Sequence, residues 1–239
     1  MLKLSYDLHI HSCLSPCGDE DMTPANIVAM SALKGLDVIA VTDHNSCKNC
    51  PAVLKWAKEY GLIAIPGMEL CTMEEVHALC LFEELSDALR FDEYVYSMLM
   101  RYPNDERAFG KQEIYDDEDQ LAGTEPYLLI NATNISFDEL GGLMKKFGGV
   151  YIPAHIDKNS NSLISNLGFI SPDADFVVAE LANKDNYERL GKGNPYLYQC
   201  NIITDSDAHS LGDINEASNF LECGSRSSGG VLEALTKSG

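Results

Sequence analysis

Basic residues are scarce in this chain. Lys and Arg number 17 among 239 residues against 37 Asp and Glu, a formal net charge of −20. So acidic a surface repels polyanions, which argues against broad binding to DNA, RNA or anionic membranes. A small anionic ligand held at one local site remains compatible with it. Long apolar runs are missing too, and none approaches the ~18 residues a membrane helix needs. The opening MLKLSYDLHIHSC lacks the apolar stretch of a signal peptide. The expected compartment is therefore the cytoplasm, with no membrane partner. Internal repeats, low-complexity tracts and an interdomain linker are absent from the sequence, so one domain over 1–239 is expected. With 45% hydrophobic residues, a substantial core can form, which excludes disorder of the whole chain.

Cysteine is plentiful, at Cys13, Cys17, Cys47, Cys50, Cys71, Cys80, Cys200 and Cys223. In a chain that is not exported, these are expected as thiols rather than a disulfide framework. Cys47-x-x-Cys50 finds no matching second pair for a structural zinc site. It reads as reduced thiols near a helix start, with a redox or cluster-binding role as the alternative. Cys71 and Cys80 lie in strand-like apolar settings and read as core residues.

Apolar runs alternate with helical patterns along the chain. Strands are expected at Leu4–Ile10, Asp37–Thr42, Leu62–Pro66, His77–Phe82, Gly149–Ala154, Phe176–Leu181, Asn201–Thr204 and Ala217–Glu222. Helices are expected at Pro24–Lys34 (Thr23 as N-cap), Ala52–Tyr60, Ser86–Met100, Phe137–Phe147 and Gly230–Lys237. Such alternation favours an α/β fold with a mainly parallel sheet, closed into a barrel or doubly wound. Residues 101–126 break the rhythm with an acidic stretch of little apolar periodicity. They read as a solvated excursion, with Gln112–Tyr115 and Gln120–Ala122 as a small hairpin; a lid or partner surface is the other reading.

Histidine is sparse, only six residues, and its placement is informative. In Asp7-Leu8-His9-Ile10-His11, residues two apart on a strand point the same way, so the two imidazoles project together. Asp207-x-His209 repeats the pattern after the run Asn201–Thr204, with Asp205 placed to join or support it. Asp43-His44, Glu69 and His155 each follow an apolar run, whereas His77 precedes one. Five histidines with Glu69 and Asp207 thus fall at or near the C-terminal ends of expected strands. In parallel α/β folds that edge binds ligands.

In this order, DLHIHS, VTDHNS, PGMEL, PAH and SDAH resemble the PHP (polymerase and histidinol phosphatase) superfamily of metal-dependent phosphoesterases. The resemblance covers roughly residues 5–84 and 148–223. It implies a distorted seven-stranded (β/α) barrel, here with a small acidic insertion at about 101–135. It also implies a trinuclear site at the strands' C-terminal edge. The first subsite would take His9, His11, Glu69 and Asp207, with Glu69 bridging to a second that adds His77 and His155. The third would take His44, His209 and a residue after the first strand. Asp19 is the choice there, with Cys17, Glu20 and Asp21 as competitors.

Imidazole and carboxylate donors suit zinc, manganese or iron(II). Three such ions would outweigh the charges of Glu69, Asp207 and Asp19, leaving a positive spot for a phosphate inside an acidic protein. The resemblance implies that a metal-bound hydroxide attacks phosphorus in line, with Glu69, Asp207 and His209 at the reacting centre. Asp7 and Asp43 could orient imidazoles or serve as turn and cap carboxylates. Lys158, Lys184 and Arg189 are the candidates for binding substrate phosphate, each also readable as a solvated side chain. The expected partner is a small phosphorylated compound: a nucleotide or nucleoside phosphate, an oligonucleotide end or an amino-alcohol phosphate. A 3′–5′ exonuclease and a non-catalytic metal-binding module are the alternatives; no long nucleic acid is expected, and the oligomeric state is open.

Overall fold

Val38, Ile39, Ala40 and Val41 are buried on both faces of their strand, as a four-residue apolar run with covered faces must be. Around it the structure, a computed structural model describing residues 1–237, alternates strands and helices. β1 (Leu2–Ile10) leads to α1 (Pro24–Leu33), β2 (Val38–Val41) and α2 (Cys50–Tyr60). Then come β3 (Ile63–Ala64), β4 (Gly67–Cys71), β5 (His77–Phe82) and α3 (Leu85–Met98). The acidic excursion holds α4 (Glu106–Phe109) and the hairpin of β6 (Glu113–Tyr115) with β7 (Leu121–Thr124). After it run α5 (Leu140–Phe147), β8 (Gly149–Pro153), α6 (Leu163–Leu167) and β9 (Val178–Glu180). The described chain finishes with α7 (Tyr187–Gly193), β10 (Asn201–Ile203), β11 (Phe220–Cys223) and α8 (Ser228–Thr236).

The α/β class expected from the sequence is present, but two of its details change. Pairing among the described residues falls into four sheets, ordered β11-β1-β2-β3, β4-β5-β8, β9-β10 and β6-β7, with no hydrogen-bonded closure into a seven-stranded barrel. Nor is the pairing mainly parallel. β1, β2 and β3 are parallel neighbours, as are β9 and β10. By contrast, β4, β5 and β8 pair antiparallel, and β11 lies antiparallel to β1. The physical reason is the short link from β4 to β5, Thr72–Val76, too brief for the crossover that parallel strands need. Two single bridges, Ile10 with Ala208 and His44 with Glu69, tie the loops after β10 and β2 to neighbouring strands.

One buried cluster joins β1, β2, β5, β8, β9 and β10 under α8, through residues such as Leu8, Ala40, Leu79, Ile152, Val178 and Val231. Another, with Ile10, Ile27, Ile39 and Val53, seats α1 and α2 against the parallel sheet. The largest carries α3 and α5, with the Phe91 ring against those of Phe82 and Phe147. Thr23 caps α1 as expected, accepting from the Asn26 N–H ahead of Pro24. A register shift in β1 between Asp7 and Ile10 separates Leu8 from Ile10, which enter different cores. The excursion is less solvated than expected. Its hairpin tip is exposed, but Gln112, Glu113 and Glu125 are buried, and the Glu113 N–H donates to the Cys13 carbonyl at 2.9 Å. Among the described residues no helix is long and apolar enough to cross a membrane.

Candidate metal centre

One buried carboxylate organises the cluster. Glu69 on β4 is 1% exposed, and ring nitrogens of His9, His11, His44, His77 and His155 lie 2.9–3.4 Å from its oxygens. The fold explains the convergence. β1 carries His9 near its end with His11 just beyond it, and the loops after β2, β8 and β10 carry His44, His155 and Asp207. His77 arrives at the same edge because β5 is antiparallel to β4, which puts it opposite Cys71. Its position before an apolar run, odd in the sequence, follows from that reversal.

Donor spacing tests whether an ion fits. His9 Nε2 and His11 Nε2 are 3.2 Å apart. Each lies 3.3–3.4 Å from a Glu69 oxygen and 3.2–3.3 Å from Asp207 Oδ1. A tetrahedral zinc ion with bonds of ~2.0–2.1 Å holds its donors ~3.3–3.4 Å apart. The buried His77 Nε2 and His155 Nδ1 have no hydrogen-bond partner among the described residues. Three donor groups could each hold an ion: His9, His11 and Glu69; His44, Glu69 and His77; and His11, Cys17, His44 and His209. These residues fit a metal centre.

Asp19, chosen from the sequence for the third subsite, stands apart from these groups. Its side chain is exposed and outside all three groups, although its N–H donates to the His209 carbonyl at 2.9 Å. Cys17, its competitor, lies in the third group. A tight turn sets this choice: the Ser15 N–H bonds the Ser12 carbonyl and the Gly18 N–H bonds the Ser15 carbonyl. A Cβ on Gly18 would meet the Ser12 oxygen at 2.3 Å, so only glycine permits that turn. Glu20 and Asp21 are exposed and outside all three groups.

Other candidates divide. Lys158 lines the cleft and pairs with Asp207 Oδ2. Lys184 and Arg189 do not line it; they donate to Asn219 and Asn186 instead. Asp7 touches no imidazole and accepts from the N–H groups of Ser206 and Asn215, each at 3.0 Å. Asp43 acts at one remove: it accepts from Ser12 and Ser15, and the Ser15 hydroxyl lies 2.9 Å from His11 Nδ1. Cys47 and Cys50 are buried in the core beneath the loop.

Glu180 was not singled out in the sequence. Both of its oxygens lie 3.1 Å from His9 Nδ1, and one accepts the His155 N–H at 2.8 Å. An available signal was a carboxylate closing the apolar run FVVAE, the logic already applied to Glu69. His155 and Asp207 occupy left-handed backbone, with φ of 32° and 51°. Such strain in residues other than glycine is retained where surrounding structure holds a site in place.

Electrostatics follow the contacts. Burial alone would raise the Glu69 carboxyl, but His77, His9 and His44 outweigh it and hold it well below the usual range. Asp207 is likewise lowered, as His9 and His11 overcome its burial. His11 is lowered to about 3 by burial and by His44. Asp205, buried beside Glu180 and Asp7, is raised well above the ordinary carboxyl value. The cleft over these groups has a volume of about 200 Å³, and Cys17, Lys158, Asp207 and His209 are among its lining residues.

Fold and site together define an α/β protein whose few histidines gather into donor sets for metal ions at one sheet edge. The family model of the PHP domain matches residues 7–171, and the chain belongs to that family. An uncharacterized protein of Methanocaldococcus jannaschii is 34% identical over 98 residues, covering 37% of this chain and 57% of that one. The lesion-specific endonuclease EndoQ of Pyrococcus furiosus superposes with a TM-score of 0.68 at 19% identity, over 98% of this chain and 56% of its own. A putative metal-dependent phosphoesterase of Bifidobacterium adolescentis gives a TM-score of 0.59 at 19% identity, over 90% and 91% of the two chains. The chain therefore spans little more than half the length of the first two.

Proposed function

We propose that the protein is a metal-dependent phosphoesterase acting on a small phosphorylated substrate, a phosphomonoester or nucleotide, through up to three divalent ions, zinc, manganese or iron. The observation that carries this reading is Glu69 surrounded by five imidazoles at one sheet edge. His9, His11, Glu69 and Asp207 would hold one ion, His77 and His155 with Glu69 a second, and His44 and His209 with a residue of the turn after β1 a third. When bound, such ions supply Lewis-acid stabilisation of a phosphoryl group and lower the pKa of coordinated water. The chain's own residues do the rest. Lys158, partly exposed and paired with Asp207, can swing its ammonium onto a substrate phosphate. The partly exposed His209 lies at the opening, its Nδ1 2.7 Å from the Asp207 carbonyl oxygen, which leaves Nε2 as the donor for an ion. A cleft of about 200 Å³ in a chain of charge −20 suits a terminal phosphate better than a long polyanion.

Cleavage of damaged DNA is the second reading, and the fold shared with the lesion-specific endonuclease supports it. A panel of phosphomonoesters, nucleotides, oligonucleotides and lesion-bearing duplexes, with and without chelator, separates the readings. Chelator-sensitive release of phosphate from small esters is expected. Cleavage confined to the duplexes would replace the first reading with the second. Glu69→Gln and Asp207→Asn should lower bound metal and rate together, the rate by at least ~10²-fold. Full activity in metal-free protein would refute both readings.

A further inference from the structure

Of the eight cysteines, Cys17 alone is exposed, and it is exposed at the rim of the metal cleft. Its Sγ and one ring nitrogen each from His11, His44 and His209 all lie within 4.8 Å of one another. The three rings crowd together: the His11 centroid is 4.3 Å from that of His209 and 4.6 Å from that of His44. His44 is 3% exposed, and its Nδ1, 3.0 Å from Glu69, lacks hydrogen-bond geometry to any described partner. The turn at Gly18 holds the thiol over these rings while turning Asp19 outward. The Cys17 thiol and the His44 and His209 rings thus lie close enough together to share one ion.

We propose that Cys17 is the thiolate donor of a cation subsite completed by His44 and His209, and that its sulfur sets that subsite's choice of metal. The inference rests on the metal-site reading above and deepens it. Binding replaces the S–H bond by an S–metal bond and releases the proton to solvent. A set of two imidazole nitrogens and one thiolate favours zinc, cobalt or iron(II), whereas manganese and magnesium prefer oxygen. The subsite therefore discriminates among ions where a carboxylate on that turn would be permissive.

Cobalt(II) added to the metal-stripped full chain tests this, because thiolate ligation gives a near-ultraviolet charge-transfer band that nitrogen and oxygen ligation does not. The band is expected on loading and should vanish in Cys17→Ser, with about one ion per chain fewer bound. Cys71→Ser should keep it, since the Cys71 thiol donates to the Thr72 carbonyl and lies outside all three donor groups. Cys17→Asp should recover the ion count without the band and move the subsite's preference toward manganese by roughly tenfold or more. Loaded protein should also alkylate at Cys17 more slowly than stripped protein. Cobalt bound without the band, or a band surviving Cys17→Ser, would overturn the thiolate while leaving the metal centre standing. Failure to bind cobalt at all would overturn both.

Discussion

Glu69 is legible as a candidate from one fact, a carboxylate in an apolar run, and the structure makes it the hub of five imidazoles. The same reasoning extends to Glu180, whose carboxylate fixes both the His9 ring and the His155 backbone. Groups that orient a metal-bound imidazole typically change affinity 10–100-fold when removed. Glu180→Gln should therefore weaken metal binding by about that factor in a competition titration, with helix content unchanged by circular dichroism. Unaltered affinity would mean that His9 is held by packing alone. At this scale the sequence shows which residue types gather, because strand alternation projects His9 with His11. It cannot choose between Cys17 and Asp19, which differ by two positions in a turn whose shape depends on Gly18 and on the distant His209 carbonyl.

At the scale of elements, the antiparallel reversal from β4 to β5 positions the cluster. Strand positions were legible: His77–Phe82 matches its expected bounds, and others differ by a few residues at their ends. Direction was not, since a buried parallel strand and a buried antiparallel one read as the same apolar run. β4 itself was hidden behind β3, because only Ile65 and Pro66 separate them. Gly67 opens β4, and a Cβ there would meet the Cys80 carbonyl oxygen at 2.6 Å and Leu81 Cδ2 at 2.7 Å. Backbone cannot yield as a flexible side chain does, so β4 must move away from β5. Gly67→Ala should cost about 1–3 kcal/mol in denaturant unfolding and reduce metal content by displacing Glu69. Wild-type stability with full metal content would show that the sheet absorbs a methyl group there.

Across the whole molecule, the buried histidines couple the site to stability. In the metal-free protein burial opposes charging of His77, but Glu69 outweighs it and raises the imidazole to about 10. A histidine raised in the fold stabilises fully below its unfolded value of ~6.5 and loses that contribution as pH climbs through the folded value. His11, lowered to about 3, slopes the other way, costing stability as pH falls below ~6.5. The melting temperature of stripped protein should therefore decline from pH 6.5 to 10, and His77→Gln should flatten that decline. A stripped wild type with a level profile over this window would contradict the ion pair. Net charge was legible from composition alone. The division into four sheets was not, since it depends on closures between residues far apart in the chain.

Those distances carry one last consequence. His9 and His11 on β1 belong to the same cluster as Asp207 and His209, and Ile10 bridges directly to Ala208. A chain leaving the ribosome exposes its first two imidazoles some 200 residues before their partners exist, at ~5–20 residues per second. For roughly 10 to 40 s the nascent protein thus displays a partial, unsealed chelating motif to whatever cations surround it. The donor set around His9 and His11 is complete only once the loop after β10 closes onto β1, so an ion that needs all of these donors can be held only late in synthesis.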